Sequence, residues 1–483
     1  MDGLNPFGKR TCLFLMGIVL VLFGTVPRLK AQSESENENN CLWTVRSITL
    51  EGNRVTKDYI IKRELPVRER DTLCESTLPN LRKTATENLM NMGLFNFAEV
   101  GIVLDSTLHA VDIFIHVTEQ WYFFVFPQVT FADRNVNTWL KSHKFSELSL
   151  GLDAWLYNFR GQRETLHIFP MFGYDRQISA DYDIPFLTKK MQWGLFTGGL
   201  FRTSHSVLFS VVENRSVFSP RFPNHAQTTC ELYVGIRYRP KIHISHAAKL
   251  QFEYHAVNDS VVSLNPHYLG DSVSFAHSLS LSYFLKIDHR NYAAYPLQGY
   301  YFDVEGKYIR TLRQENPHGT FAWLRSTFRK YYQLAHRWYY AFAVTGFSCT
   351  RSQYPFYINE ASLGFDRFHV RGYEKYLFKT QHYLLGKQNI KFALLKDHVF
   401  RLFGIKNDSF GKVPLSLFLT LFSDAAIYDD TLFSPTKNLE KSLLFSAGLG
   451  LDIVTYYERV LRIELTCNRN SEWGVYFSFL EPL

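Results

Sequence analysis

The stretch SELSLGLDAWL, Ser146 to Leu156, decides the fold. Leu148, Leu150, Leu152, Ala154 and Leu156 alternate with Glu147, Ser149, Gly151 and Asp153. A period of two sends the sets to opposite faces of a β-strand. The pattern recurs where Tyr300, Phe302, Val304 and Tyr308 alternate with Asp303, Glu305 and Lys307, and again where Leu461, Ile463 and Leu465 alternate with Arg462, Glu464 and Thr466. In a soluble sandwich the apolar face would be core. In a membrane barrel it meets lipid, and the charged face lines the lumen. Length decides between them. Residues 121–483 run on without a second domain boundary, and a soluble all-β domain of that size would split in two. Sixteen strands would take about 23 residues each, enough for a span of roughly ten plus its turns.

Composition agrees. The chain has 42 Phe, 28 Tyr and 8 Trp, and beyond Val26 no run approaches the length of a membrane helix. At the N-terminus Lys9 and Arg10 precede an apolar run from Cys12 to Val26, which reads as a signal peptide over residues 1–31 with cleavage near Ala31. Residues 1–31 hold four basic and one acidic residue, so the formal +8 falls to +5 without them. That is too mild to argue for nucleic acid. Six scattered cysteines contain no CxxC pair, so no metal site is expected. Cys41 and Cys74 could form a disulfide in an oxidising compartment or remain unrelated thiols.

Residues 32–42 are a polar linker, and a small α+β domain is expected over 43–119. Strict alternation sets Val45, Ser47 and Thr49 against Arg46, Ile48 and Leu50 in a first strand. Thr56 and Ser76 stand where helix caps belong. The second helix carries Leu78, Leu81, Ala85, Leu89 and Met92 on one face, with Gly93 as its stop. Strands over Phe97–Leu104 and Ala110–Thr118 close the unit.

On these residues the chain resembles the BamA/TamA superfamily, also called bacterial surface antigens, of the single-POTRA type. ITLEGNRVTKDYIIKREL (Ile48–Leu65) and NLMNMGLFNFAEV (Asn88–Val100) resemble a POTRA domain. EQWYFFVFPQVTFADRNVNTW (Glu119–Trp139), NFRGQRETL (Asn158–Leu166) and Tyr182-Asp183-Ile184-Pro185-Phe186 look like the start of the family's barrel, expected here over residues 120–483. Val370-Arg371-Gly372-Tyr373 matches the family's diagnostic motif. The resemblance implies that it lies on a long loop folded back into the lumen, with Arg371 paired to an acidic residue. Asp424, in Phe422-Ser423-Asp424-Ala425-Ala426, is the first candidate partner, with Asp452 and Glu464 behind it. Ala426 stands where the family has glycine. The last strand, GVYFSFL, turns Val475, Phe477 and Phe479 outward, like a barrel-targeting strand, but runs on through Glu481 and Pro482.

No GxSxG, HExxH or Walker loop is present, so an enzyme and a cofactor are not expected. His243, His246 and the pair His277 and Asp271 read as surface or lumen residues rather than ligands. The resemblance implies a protein of the Gram-negative outer membrane, with its small domain in the periplasm. It would insert barrels, or pass polypeptide across the membrane, by strand addition at a lateral seam formed near Phe123–Phe131 and Gly474–Leu480. Its partners would be the bilayer and client polypeptides, with periplasmic chaperones or lipoproteins as further candidates. The alternatives are a structural or receptor barrel without insertase activity, and a dedicated secretion pore.

Overall fold

A computed structural model describes residues 42–131, 148–188, 190–270, 272–312, 320–350, 362–364, 367–401, 412–429, 443–455 and 460–478. The expected signal peptide, most of the polar linker, Cys41, Asp271 and Phe479 lie outside the described residues.

The N-terminal domain runs β1 (Leu42–Glu51), α1 (Asp58–Arg63), β2 (Thr72–Cys74), α2 (Leu78–Met90), β3 (Phe95–Asp105) and β4 (Ala110–Glu119). Its sheet order is β2-β1-β4-β3, with β1 parallel to β4 and β3 antiparallel to it. Leu78, Leu81, Ala85 and Leu89 are the buried face of α2, packed with Ile60, Ile61, Val111 and Ile115. Three sequence expectations are corrected. The register of β1 shifts between Val45 and Ser47, so Val45 and Ile48 are both buried rather than on opposite faces. Neither helix takes a side-chain cap: α1 is preceded by Lys57 and α2 by Thr77. The Thr56 hydroxyl instead donates to Glu119 at 2.6 Å, whose carboxylate also accepts from the backbone of Arg54, Val55 and Thr56.

Sixteen antiparallel strands follow. They begin with β5 (Phe123–Phe131), β6 (Leu148–Phe159), β7 (Glu164–Gly173), β8 (Arg176–Ile184) and β9 (Trp193–Ser204). A hairpin apart from the sheet, β10 (Leu208–Val212) and β11 (Arg215–Phe218), separates these from β12 (Gln227–Lys241), β13 (Ile244–Val257) and β14 (Phe275–Asp288). Next come β15 (Gly299–Thr311), β16 (Thr320–Ala335) and β17 (Trp338–Cys349). A second small hairpin, β18 (Ser362–Leu363) with β19 (Phe378–Lys379), precedes β20 (His382–Arg401) and β21 (Lys412–Tyr428). The series ends with β22 (Leu443–Val454), β23 (Val460–Asn468) and β24 (Trp473–Ser478). Apart from the two hairpins, each strand pairs with the next in one meander from β5 to β24.

The alternation sorts the two faces as a transmembrane barrel requires. Leu150, Leu152, Leu232, Leu281, Leu421 and Leu465 are exposed on the outside, while Ser149, Asp303, Lys307, Asp424, Asp452 and Glu464 are buried inside. The sheet curls until Phe124 beside its first strand edge and Val460 near its last line one cavity. No helix of the described residues is long and apolar enough to cross a membrane.

The N-terminal domain is docked against the near end of this barrel. Phe186, in the turn after β8, completes the domain's own core. Lys57 donates its backbone N–H to Gly161 in the β6–β7 turn, and Asn158 donates to Thr56 Oγ1 at 2.9 Å. Gly161 has φ +72°, and a Cβ there would lie 2.1 Å from Val55 O. Gly161→Ala is therefore expected to weaken docking by about 1–3 kcal/mol. Faster proteolysis in the Gly52–Lys57 loop, with the barrel still resistant, is the readout.

Candidate functional site in the barrel lumen

The segment between β18 and β19 carries Val370-Arg371-Gly372-Tyr373 and lies inside the far half of the barrel. Val370 and Tyr373 are buried with Trp323, Phe347, Tyr383 and Tyr428 of the wall. Arg371 is 3% exposed. Its Nε donates to Asp424 Oδ2 at 2.9 Å and its Nη2 to Asp424 Oδ1 at 2.5 Å, the two-pronged geometry a guanidinium offers a carboxylate. The Arg371 backbone N–H also reaches Asp424, at 3.1 Å. Nη1 donates to Glu464 at 3.2 Å and Nη2 to Asn389 at 2.8 Å. The guanidinium lies 3.8 Å from the centre of the Phe422 ring.

The wall is shaped for this. A Cβ on Gly448 would meet Phe422 at 2.5 Å, so that glycine gives the ring beneath Arg371 its place. Gly372 has φ +84° and presents its carbonyl to Asn468 Nδ2 at 3.0 Å. The loop's close approach is thus made on β23, and the Ala426 methyl is buried in the same apolar cluster as Val370 and Tyr373.

Asp452 is not a partner of Arg371. It is held by Arg462 at 2.7 Å and by the Tyr295 hydroxyl, also at 2.7 Å. Arg462 lies 3.6 Å from Glu464, which joins the two clusters. Tyr295 belongs to the turn between β14 and β15. That same turn is gripped from the N-terminal domain: Asn91, capping α2, donates to Asn291 O and accepts from Ala293 N. Polar contacts therefore run from the domain through Tyr295, Asp452, Arg462 and Glu464 to Arg371. Val475 and Phe477 of β24 are 59% and 69% exposed on the outer face.

A second charged cluster sits at the domain–barrel junction. Glu64 caps the C-terminus of α1, where a carboxylate opposes the helix dipole, so its charge needs partners elsewhere. Arg239, at the β12 end, supplies two bonds at 2.5 and 2.8 Å, with Arg63 at 3.0 Å and Arg163 at 3.8 Å. Burial pushes the Glu64 carboxyl up, but Arg239, Arg163 and Arg63 outweigh it and hold it below its ordinary value. The wrongly placed acid at a helix end was the available sequence signal for this cluster. Tyr295 had none.

The family model described as POTRA, surface antigen variable number repeat, matches residues 43–120. The N-terminal unit is a POTRA domain. Among the described residues a sixteen-stranded antiparallel sheet follows it. No curated protein matches the chain by sequence. BamA from Haemophilus ducreyi lacking POTRA domains 1–3 is a similar solved structure, at 16% identity and TM-score 0.49, covering 90% of this chain and 84% of that one. CdiB from Acinetobacter baumannii is another, at 11% identity and TM-score 0.48, covering 90% and 73%. CdiB from Escherichia coli has 10% identity and TM-score 0.44, covering 100% and 98%. Beside the POTRA helices, Glu64 and Asn91 join Lys57 and Thr56 in tying the domain to the barrel.

Proposed function

We propose that the chain is an outer-membrane assembly or translocation factor, with its POTRA domain in the periplasm, that takes up a client polypeptide by strand addition between β5 and β24. One observation carries this reading. Among the described residues, β5 and β24 form the two ends of the sheet and share no ladder, although every other neighbour in the barrel is paired. An edge of unpaired N–H and C=O groups is a template for a further strand. Uptake of this kind uses backbone pairing and needs no cofactor. The Arg371 loop is anchored on β20, β21 and β23 through Asn389, Asp424 and Glu464, and β23 is the neighbour of β24, so the loop would brace that end of the wall while the ends separate.

The second reading is a structural or receptor barrel. The docked POTRA domain and the buried Arg371 cluster favour it, since both stiffen the barrel. Cysteine pairs stepped along Phe123–Phe131 and Trp473–Ser478, in a chain with its native cysteines replaced, separate the two. Oxidation is expected to stop accumulation of newly made outer-membrane barrels, and reduction to restore it. Normal accumulation with the seam locked would leave the structural barrel as the better account.

A further inference from the structure

The floor of the lumen, closed from below by the POTRA domain, is a cavity of about 1060 Å³. Its charges do not balance. Arg239 is taken by Glu64, Arg237 by Asp183 at 2.9 and 3.0 Å, and Arg290 by Asp288 at 2.8 Å. Among the described residues those are all the carboxylates of its lining, and two cations remain, Arg163 and Lys286. Among the described residues the one carboxylate paired with Arg163 is Glu64, at 3.8 Å and already shared with Arg63 and Arg239. Among the described residues Lys286 makes no hydrogen bond and no ion pair. Burial pulls the Arg163 guanidinium down to about 10; Glu64 opposes this, and Arg239, Arg237 and Arg63 add to it.

The same cavity is lined by Phe124 and Phe126 of β5, whose rings stack with centroids 6.0 Å apart. A strand added at that edge would send every second side chain inward and the others toward lipid. We infer that this cavity is a binding site for an extended client segment in which acidic side chains alternate with apolar ones, the acidic set facing Arg163 and Lys286. The inference rests on the reading of the chain as a polypeptide-handling barrel and names the substrate chemistry of that site. A lone anion would use little of the volume, which lies at the upper end of pockets for drug-sized ligands. The apolar half of the repeat matches the outer face that β24 presents through Val475 and Phe477.

The test uses the full chain in detergent micelles and fluorescently labelled peptides of roughly ten residues, the length of one membrane strand. One peptide alternates glutamate with phenylalanine, the other lysine with phenylalanine. The glutamate peptide is expected to bind about tenfold more tightly, with the preference fading at high salt. Arg163→Gln with Lys286→Gln should erase the preference, whereas Arg163→Lys with Lys286→Arg should keep it, which separates lost charge from a loosened domain. Equal binding of the two peptides, or an unchanged preference in the glutamine variant, overturns the proposal. So does displacement of the glutamate peptide by inorganic phosphate at matching concentration, which would make this a site for a single anion. Binding is read without any insertion assay, so failure here leaves the seam-locking result standing, and a failed seam lock leaves the measured preference in place.

Discussion

Arg371→Ala should lower the stability of the folded barrel by about 3–5 kcal/mol, the range seen when one member of a buried ion pair is removed. The reason lies in what the arginine leaves behind. The Asp424 side chain is fully buried and takes three of its hydrogen bonds from Arg371. Without them a carboxylate sits in the wall with, among the described residues, no charged group at hydrogen-bond distance, while Glu464 still has Arg462. The heat-dependent shift in gel mobility of the folded barrel in detergent gives the measurement. Arg371→Lys should fall between wild type and alanine, because an ammonium cannot span both carboxylate oxygens and reach Asn389 as the fork does. The decisive variant is Arg371→Met with Asp424→Leu. Removing both charges should recover most of the loss, since well-packed apolar replacements of buried pairs are often neutral. If the double variant is as unstable as Arg371→Ala, the ion pair is not what fixes the loop, and the apolar contacts of Val370 and Tyr373 become the better explanation.

The sheet was legible because a barrel repeats one simple rule. Leu150 and Leu152 outside with Ser149 and Asp153 on the other face follow from alternation alone, and sixteen strands follow from dividing the remaining length. Alternation failed at β1, where one shifted residue near Arg46 buries both Val45 and Ile48, because a bulge leaves no mark in a short apolar pattern. Caps failed for a different reason. Thr56 can serve a helix or a distant carboxylate, and only the fold brings Glu119 to it. In the lumen, Arg371 was visible through its motif, yet the choice among Asp424, Asp452 and Glu464 depends on which strands lie opposite the loop. Asp452 is occupied by Arg462, its direct partner across the β22–β23 ladder. Tyr295 reaches it from a turn some 157 positions away in sequence, a contact no local pattern encodes.

Glu64→Gln should release the POTRA domain from the barrel while leaving both folded. The substitution keeps the shape of the side chain but leaves Arg63, Arg163 and Arg239 converging on a neutral group. The cost to docking should be about 3–5 kcal/mol, as for other broken buried pairs, and part of it is the mutual repulsion of the three arginines. Hydrogen exchange would show it as faster exchange in the Gly161 and Asn291 turns with unchanged protection in β20 to β23. The same carboxylate predicts a pH response. Its pKa in the docked state lies below the ordinary 4.5, so docking draws on its charge fully above that value and loses the contribution as pH falls through the lower, docked value. The domain should therefore stay docked from neutral pH down to about 5 and loosen only in stronger acid. Release between pH 5 and 7 would assign the switch to another group and remove Glu64 as the latch. Arg239→Gln supplies the cross-check. If Glu64 and Arg239 act as one pair, the double variant should be less than additive, because each single change already abolishes the bonds at 2.5 and 2.8 Å.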